Sequence, residues 1–196
     1  MPRWETGTAD RLRAAALELF TGRGYAATTV DDIAEAAGVT QRTFFRHFPD
    51  KEEVLFAAGE RMRTVLVDAL TEVLPAAAPE SPGTAADAAG HAVRRLAASF
   101  EADRTQHRLR AGVLAQVPSL QARQLLKQQA WAQELVEELS GAGVPARQAE
   151  AAVALAAAAL QLAYRRWLAD GDGPPLTALL DAALDDLRAA AGGLRG

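Results

Sequence analysis

The chain contains no cysteine. No disulfide, thiolate nucleophile or cysteine-ligated zinc or iron–sulfur site can therefore form, and such a composition suits a reducing compartment. Isoleucine occurs once, against 46 alanines and 25 leucines. Alanine and leucine lead the helix scale, so sheet is disfavoured and an all-α fold of about nine helices is expected. Long hydrophobic runs are missing too. The longest apolar stretch, Ala151 to Leu160, ends at Gln161, well short of the roughly 20 residues a membrane span needs. No charged-then-apolar leader opens the chain, so a soluble cytoplasmic protein without a membrane partner is expected. His47, His91 and His107 are isolated, with no metal-ligand spacing, and neither a glycine-rich phosphate loop nor a nucleophile elbow occurs. These gaps argue against an enzyme, a metal site or a bound cofactor.

With 196 residues there is enough chain for one domain or two small ones, and enough to bury a real core. The formal net charge of −4 argues mildly against nucleic acid, whose partners usually carry a basic footprint. Averages hide patches, however. In "TQRTFFRHFPDK", Thr40 to Lys51, Arg42, Arg46 and Lys51 face a single acid, Asp50.

Helical periodicity organises the N-terminal part. Leu12, Ala16, Leu19 and Phe20 follow i, i+4, i+7 and i+8 spacing, predicting a helix from near Thr8 to Arg23 with Gly24 in the left-handed position beyond it. "TTVDDIAEAAGV" reads as a short second helix. Thr29 and Asp32 form its capping box, Val30, Ile33, Ala34 and Ala37 its apolar stripe, and Gly38 its tight end. Thr40 caps a third helix that Pro49 stops, and Asp50 with Glu53 opens a fourth that is expected to continue to Leu74. "PAAAPESPG" then reads as a connector. Beyond it, helices are expected from Thr84 to about Ala102, Asp103 to Val117, Pro118 to Gly141, Pro145 to Ala169 and Leu176 to about Ala191. The domain division follows as residues 1–56 and 57–196.

Two short helices joined by a tight glycine turn have helix-turn-helix geometry, whose second helix enters the DNA major groove. Adjacent residues on a helix point about 100° apart, so Phe44 and Phe45 cannot both face one core. Phe44 and Phe48, four apart, can pack against Leu12, Phe20, Val30 and Ile33. That leaves Gln41, Arg42, Phe45 and Arg46 on the opposite side, with chemistry for base edges and thymine methyls. Thr43, His47 and Lys51 suit phosphates. Composition alone leaves open that Phe45 also joins the core and that the arginines are an ordinary solvated face.

The order of the whole stretch narrows this. "ALELFTGRGYAATTVDDIAEAAGVTQRTFFRHFPDKEEVL" resembles the tetracycline-repressor (TetR) family of transcriptional regulators over roughly residues 8–56. The resemblance is carried by Phe20, Gly24-Tyr25, Thr28-Thr29-Val30, Ile33-Ala34, Ala37-Gly38-Val39 and Phe48-Pro49-x-Lys51. It implies that Gln41, Arg42, Thr43, Phe45, Arg46 and His47 read double-stranded operator DNA, that Lys51 clamps a phosphate, and that Thr29 and Thr40 at the two helix starts belong to the DNA-contacting set. The family usually has tyrosine where Phe45 stands, so a hydroxyl contact is missing here.

Such regulators use their C-terminal helices for an effector pocket and a homodimer interface. One short recognition helix gives too few base contacts for an operator, which makes a two-fold dimer a physical requirement. Leu176, Leu179, Leu180, Ala183, Leu184 and Leu187 form a stripe on the last helix. "AAVALAAAALQLAY", with Leu155 and Leu162, is apolar all round, and together these are the interface candidates, a plain intramolecular core being the alternative. For the pocket, Phe100, Trp131 and Tyr164 lie near Arg104, His107, Arg108, Arg110, Arg123 and Lys127 in the helical plan. An apolar cavity with a cationic mouth suits an acidic amphiphile, the alternative on spacing alone being a solvated basic face over a filled core. "RLRAGVLAQVPSLQARQLLKQQAWAQELVEEL" with "RRWLADGDGPPLTALLDAALDDL" loosely resembles the C-terminal domain of mycofactocin-type regulators, which implies an acyl-CoA-like effector. The expectation is a homodimeric repressor released from a palindromic operator by a small molecule. The alternatives are a helical ligand-binding protein without specific DNA binding, and a ligand-independent regulator or activator.

Overall fold

A computed structural model describes residues 3–74 and 84–193. The proline-rich connector expected at 75–83 lies outside the described residues. These form α1 (Arg3–Gly22), α2 (Val30–Ala36), α3 (Gln41–His47), α4 (Glu53–Phe56), α5 (Gly59–Val73), α6 (Thr84–Phe100), α7 (Arg104–Gln116), α8 (Pro118–Gly141), α9 (Ala146–Ala169) and α10 (Leu176–Gly193), with a 3-10 turn, Glu101–Asp103, joining α6 to α7. There is no strand among them, so the all-α expectation holds. The helix expected from Asp50 to Leu74 is two segments: Ala57 and Ala58 form a turn between α4 and α5.

The chain divides into two compact units. The first comprises Met1–Glu60 with Thr105–Leu125, and the second Arg61–Arg104 with Leu126–Gly196. The first unit is thus larger than residues 1–56, because α7 and the start of α8 complete its core. Leu12, Phe20, Ile33, Phe44, Phe48 and Phe56 are buried in one cluster with Val113, Leu114 and Leu120. Three apolar side chains from a distant stretch thus add to the area that this small unit buries.

In the second unit α6, α9 and α10 pack together around an alanine-rich core that includes Ala88, Ala92, Ala97, Ala156, Ala159 and Ala163. Small side chains let helix axes approach closely, and the larger Leu70, Leu139, Trp167, Leu176 and Leu180 fill the remaining volume. Leu176, Leu180 and Ala183 are fully buried and Leu184 nearly so. The expectation that these four meet a partner subunit is therefore corrected: they close the chain's own core against α9 and α6. Leu155, Leu162, Leu179 and Leu187 are only partly buried.

Candidate nucleic-acid interface

Local chemistry places α2 and α3. Gly24 (φ 89°) and Gly38 (φ 67°) take the left-handed backbone that turns the chain out of α1 and α2. Thr29 caps α2: its hydroxyl oxygen accepts the Asp32 N–H at 3.1 Å, while the Asp32 carboxylate accepts the Thr29 N–H at 2.8 Å and the Thr29 hydroxyl at 2.6 Å. These bonds, with Arg23 at 3.5 Å, hold the Asp32 carboxyl below its ordinary pKa. Thr40 caps α3, accepting the Thr43 N–H at 3.2 Å, and the two threonine hydroxyls lie 3.0 Å apart. The hydroxyls of Thr29 and Thr40 are thus engaged in starting helices.

On α3 the period of the helix separates the two phenylalanines. Phe44 is fully buried and stacks on Phe48 at 5.6 Å, whereas Phe45 is 50% exposed. Gln41, Arg42 and Arg46 share its exposure, and Thr43 and His47 are half-buried on the flanks. The ring of His47 packs 6.3 Å from that of Phe48. Neither Arg42 nor Arg46 forms an ion pair among the described residues.

Lys51 is bound within the protein. Its ammonium donates to the Tyr25 and Thr28 carbonyls, both at 2.9 Å, and sits 4.3 Å from the centre of the Tyr25 ring. It pins the loop before α2. Tyr25, the second residue of the Gly24-Tyr25 pair in the motif, belongs to the same contact set. Its hydroxyl donates to Glu52 at 3.1 Å, and burial, followed by that bond, raises its pKa, so it stays a donor.

The basic residues expected around an effector mouth are divided between the two units. Arg104 and Lys127 belong to the second, and His107, Arg108 and Arg123 to the first. Arg104 ends α9: its guanidinium donates to the Trp167 carbonyl at 2.9 Å through Nε, and through Nη2 to the Trp167 and Asp170 carbonyls. It also lies 5.1 Å from the Trp167 ring. Arg123 pairs with Glu52 and Glu53 at 2.7 and 2.5 Å. Phe100 and Tyr164 do meet, at 5.9 Å, and Trp167, outside the aromatic set expected from the sequence, extends the group at 5.9 Å from Tyr164. Trp131 is half-buried on α8, and Arg108 is exposed on α7.

A capped helix pair with a buried Phe44 and an outward row of Gln41, Arg42, Phe45 and Arg46 defines a helix-turn-helix DNA-binding regulator. Residues 12–58 match the model of bacterial regulatory proteins of the tetR family, and residues 84–192 match that of the MftR C-terminal domain. The chain belongs to the TetR family of transcriptional regulators, with a C-terminal domain of the MftR type. It is 48% identical over 86 residues to the transcriptional regulator TcmR of Streptomyces glaucescens, a match spanning 44% of this chain but only 37% of TcmR. Over 186 residues, 93% of this chain and 90% of the other, it is 27% identical to a Mycobacterium tuberculosis protein assigned as the mycofactocin biosynthesis transcriptional regulator MftR. The structure of Thermus thermophilus FadR, a TetR-family repressor in complex with lauroyl-CoA, aligns with a TM-score of 0.54 at 25% identity, over 90% of this chain and 91% of that one. No described helix is long and apolar enough to cross a membrane.

Proposed function

We propose that the protein acts in the cytoplasm as a homodimeric repressor that occupies a palindromic operator and is released by a small-molecule effector. The observation that carries this reading is the outward row on α3. Gln41, Arg42 and Arg46 are exposed and offer donors and acceptors suited to base edges, and the Phe45 ring suits a thymine methyl. The exposed small residues Ala151, Ala154 and Ala157 on α9, with Ala178 and Ala182 on α10, would let a second copy approach closely, flanked by the partly buried Leu155, Leu162, Leu179 and Leu187. A dimer doubles the base contacts over two half-sites.

The effector proposed is an acyl-CoA-like amphiphile. The lauroyl-CoA complex of the related FadR supports this class, and the adjoining Phe100, Tyr164 and Trp167 rings are the aromatic surface proposed to meet an acyl chain. Ligand lowers DNA affinity only if it binds the DNA-incompetent conformation better, by about 1–3 kcal/mol of coupling. The test is fluorescence anisotropy against the DNA just upstream of the protein's own gene, beside random duplex, with and without lauroyl-CoA. Competitor-resistant binding that the ligand weakens supports the reading. Equal, weak binding to both duplexes removes the operator, and binding that ligand leaves unchanged removes the effector class.

A further inference from the structure

The recognition helix is followed at once by acid. Asp50 stands three residues past His47, the last residue of α3, and Glu52 and Glu53 follow it. Three residues of chain reach at most about 11 Å. That is close to a Debye length, about 10 Å at 0.1 M salt, so carboxylates here repel the same phosphates that the end of α3 approaches. The unit carries a counter-charge that local sequence does not supply. Arg123, on α8 and 70 and 71 positions from Glu53 and Glu52, donates through Nη1 to Glu52 at 2.7 Å and through Nη2 to Glu53 at 2.5 Å. Its Nη1 also lies 3.5 Å from the Asp50 carboxylate.

The contacts continue toward the loop before α2. The other carboxylate oxygen of Glu52 accepts the Tyr25 hydroxyl at 3.1 Å, and the Tyr25 ring and carbonyl seat the Lys51 ammonium. Two guanidiniums approach the Phe56 ring, Arg123 at 5.4 Å and Arg110 at 5.5 Å. Arg110 itself donates to the Leu55 carbonyl at 2.7 Å, fixing α4 from the α7 side. Both fork arms of Arg123 are thus occupied by carboxylates, so it acts on DNA through its neighbours.

We propose that Arg123 is a positioning residue for DNA binding: its guanidinium neutralises Asp50, Glu52 and Glu53 beside the recognition helix and, through Glu52 and Tyr25, holds Lys51. Without it, Asp50, Glu52 and Glu53 lose the guanidinium that lies within 3.5 Å of all three. The inference rests on the DNA-binding reading of α3, and the wild-type protein tests that reading separately.

The experiment compares full-length wild type, Arg123→Gln, Arg123→Lys and the triple Arg123→Gln, Glu52→Gln, Glu53→Gln by anisotropy on a labelled random duplex across a salt series, with thermal melts of each. Arg123→Gln is expected to weaken binding about tenfold at low salt, an effect that shrinks as salt screens it. Arg123→Lys keeps the charge without the fork and is expected to stay within about threefold of wild type. The triple variant removes two of the three carboxylates together with their counter-ion and is expected to regain at least wild-type affinity, which a merely structural role for Arg123 would not produce. Should Arg123→Gln fail to fold, the lysine and triple variants carry the test alone. Unchanged binding by Arg123→Gln overturns the proposal, as does a triple variant that melts like wild type yet binds weakly. Wild-type protein that binds no duplex overturns the DNA reading and the proposal with it.

Discussion

Phe44 and Phe45 are neighbours on α3 with ring centroids 5.5 Å apart and planes at 86°, yet Phe44 is fully buried and Phe45 is half-exposed. Their edge-to-face contact lets a core residue support the ring that stands outside. Phe45→Ala is expected to leave stability within about 0.5 kcal/mol, since it opens no cavity. It should reduce discrimination between operator and random DNA by about 1–3 kcal/mol. Phe44→Ala, by contrast, should destabilise the fold by about 3–5 kcal/mol. Anisotropy and denaturant titration on both variants separate the two roles, and equal losses on operator and random DNA for Phe45→Ala would take it out of base reading.

Asp32 makes the capping box of α2 sensitive to acid. The Thr29 hydroxyl, then the Thr29 N–H, hold the Asp32 pKa below its ordinary 3.8, against a small opposing desolvation. A lowered folded pKa means that the stabilisation is complete above about 3.8 and is lost as pH falls through the lower folded value. In an NMR titration, Thr29→Ala is expected to bring the Asp32 pKa back up toward 3.8. An unmoved value would mean that the cap does not hold the carboxylate.

Arg104 is expected to matter for folding before it matters for any ligand. It donates to the Trp167 and Asp170 carbonyls where α9 has no further turn of N–H groups to donate to them. Arg104→Ala should cost about 1.5–3 kcal/mol in chemical denaturation, and Arg104→Lys should restore only part, because one ammonium cannot reproduce the fork. Full stability in Arg104→Ala, with effector response lost, would return this residue to the ligand site.

Leu180 tests which side of α10 is the core. It is fully buried within the chain, so Leu180→Ala is expected to cost about 2–5 kcal/mol of fold stability. Ala154→Glu on the exposed face of α9 should leave the fold intact while lowering the dimer fraction in sedimentation. If Leu180→Ala instead gave stable monomers, the leucine stripe would be the interface after all.

Much of the DNA-facing part was determined by sequence alone, because its signals are local. Helix caps act over three residues, glycine conformation over one, and the 3.6-residue period sends Phe44 inward and Phe45 outward within a single helix. The same period identified the stripe of α10, but a stripe states only that a face is buried, not against what. Tertiary structure decided that it packs on α9 and α6, that Val113, Leu114 and Leu120 join the first core, and that Arg104 and Arg123 serve different units. The partners of Arg104 lie 63 and 66 positions away, and those of Arg123 about as far. A long cationic side chain can meet any carbonyl or carboxylate within reach, so only the folded arrangement of helices selects which.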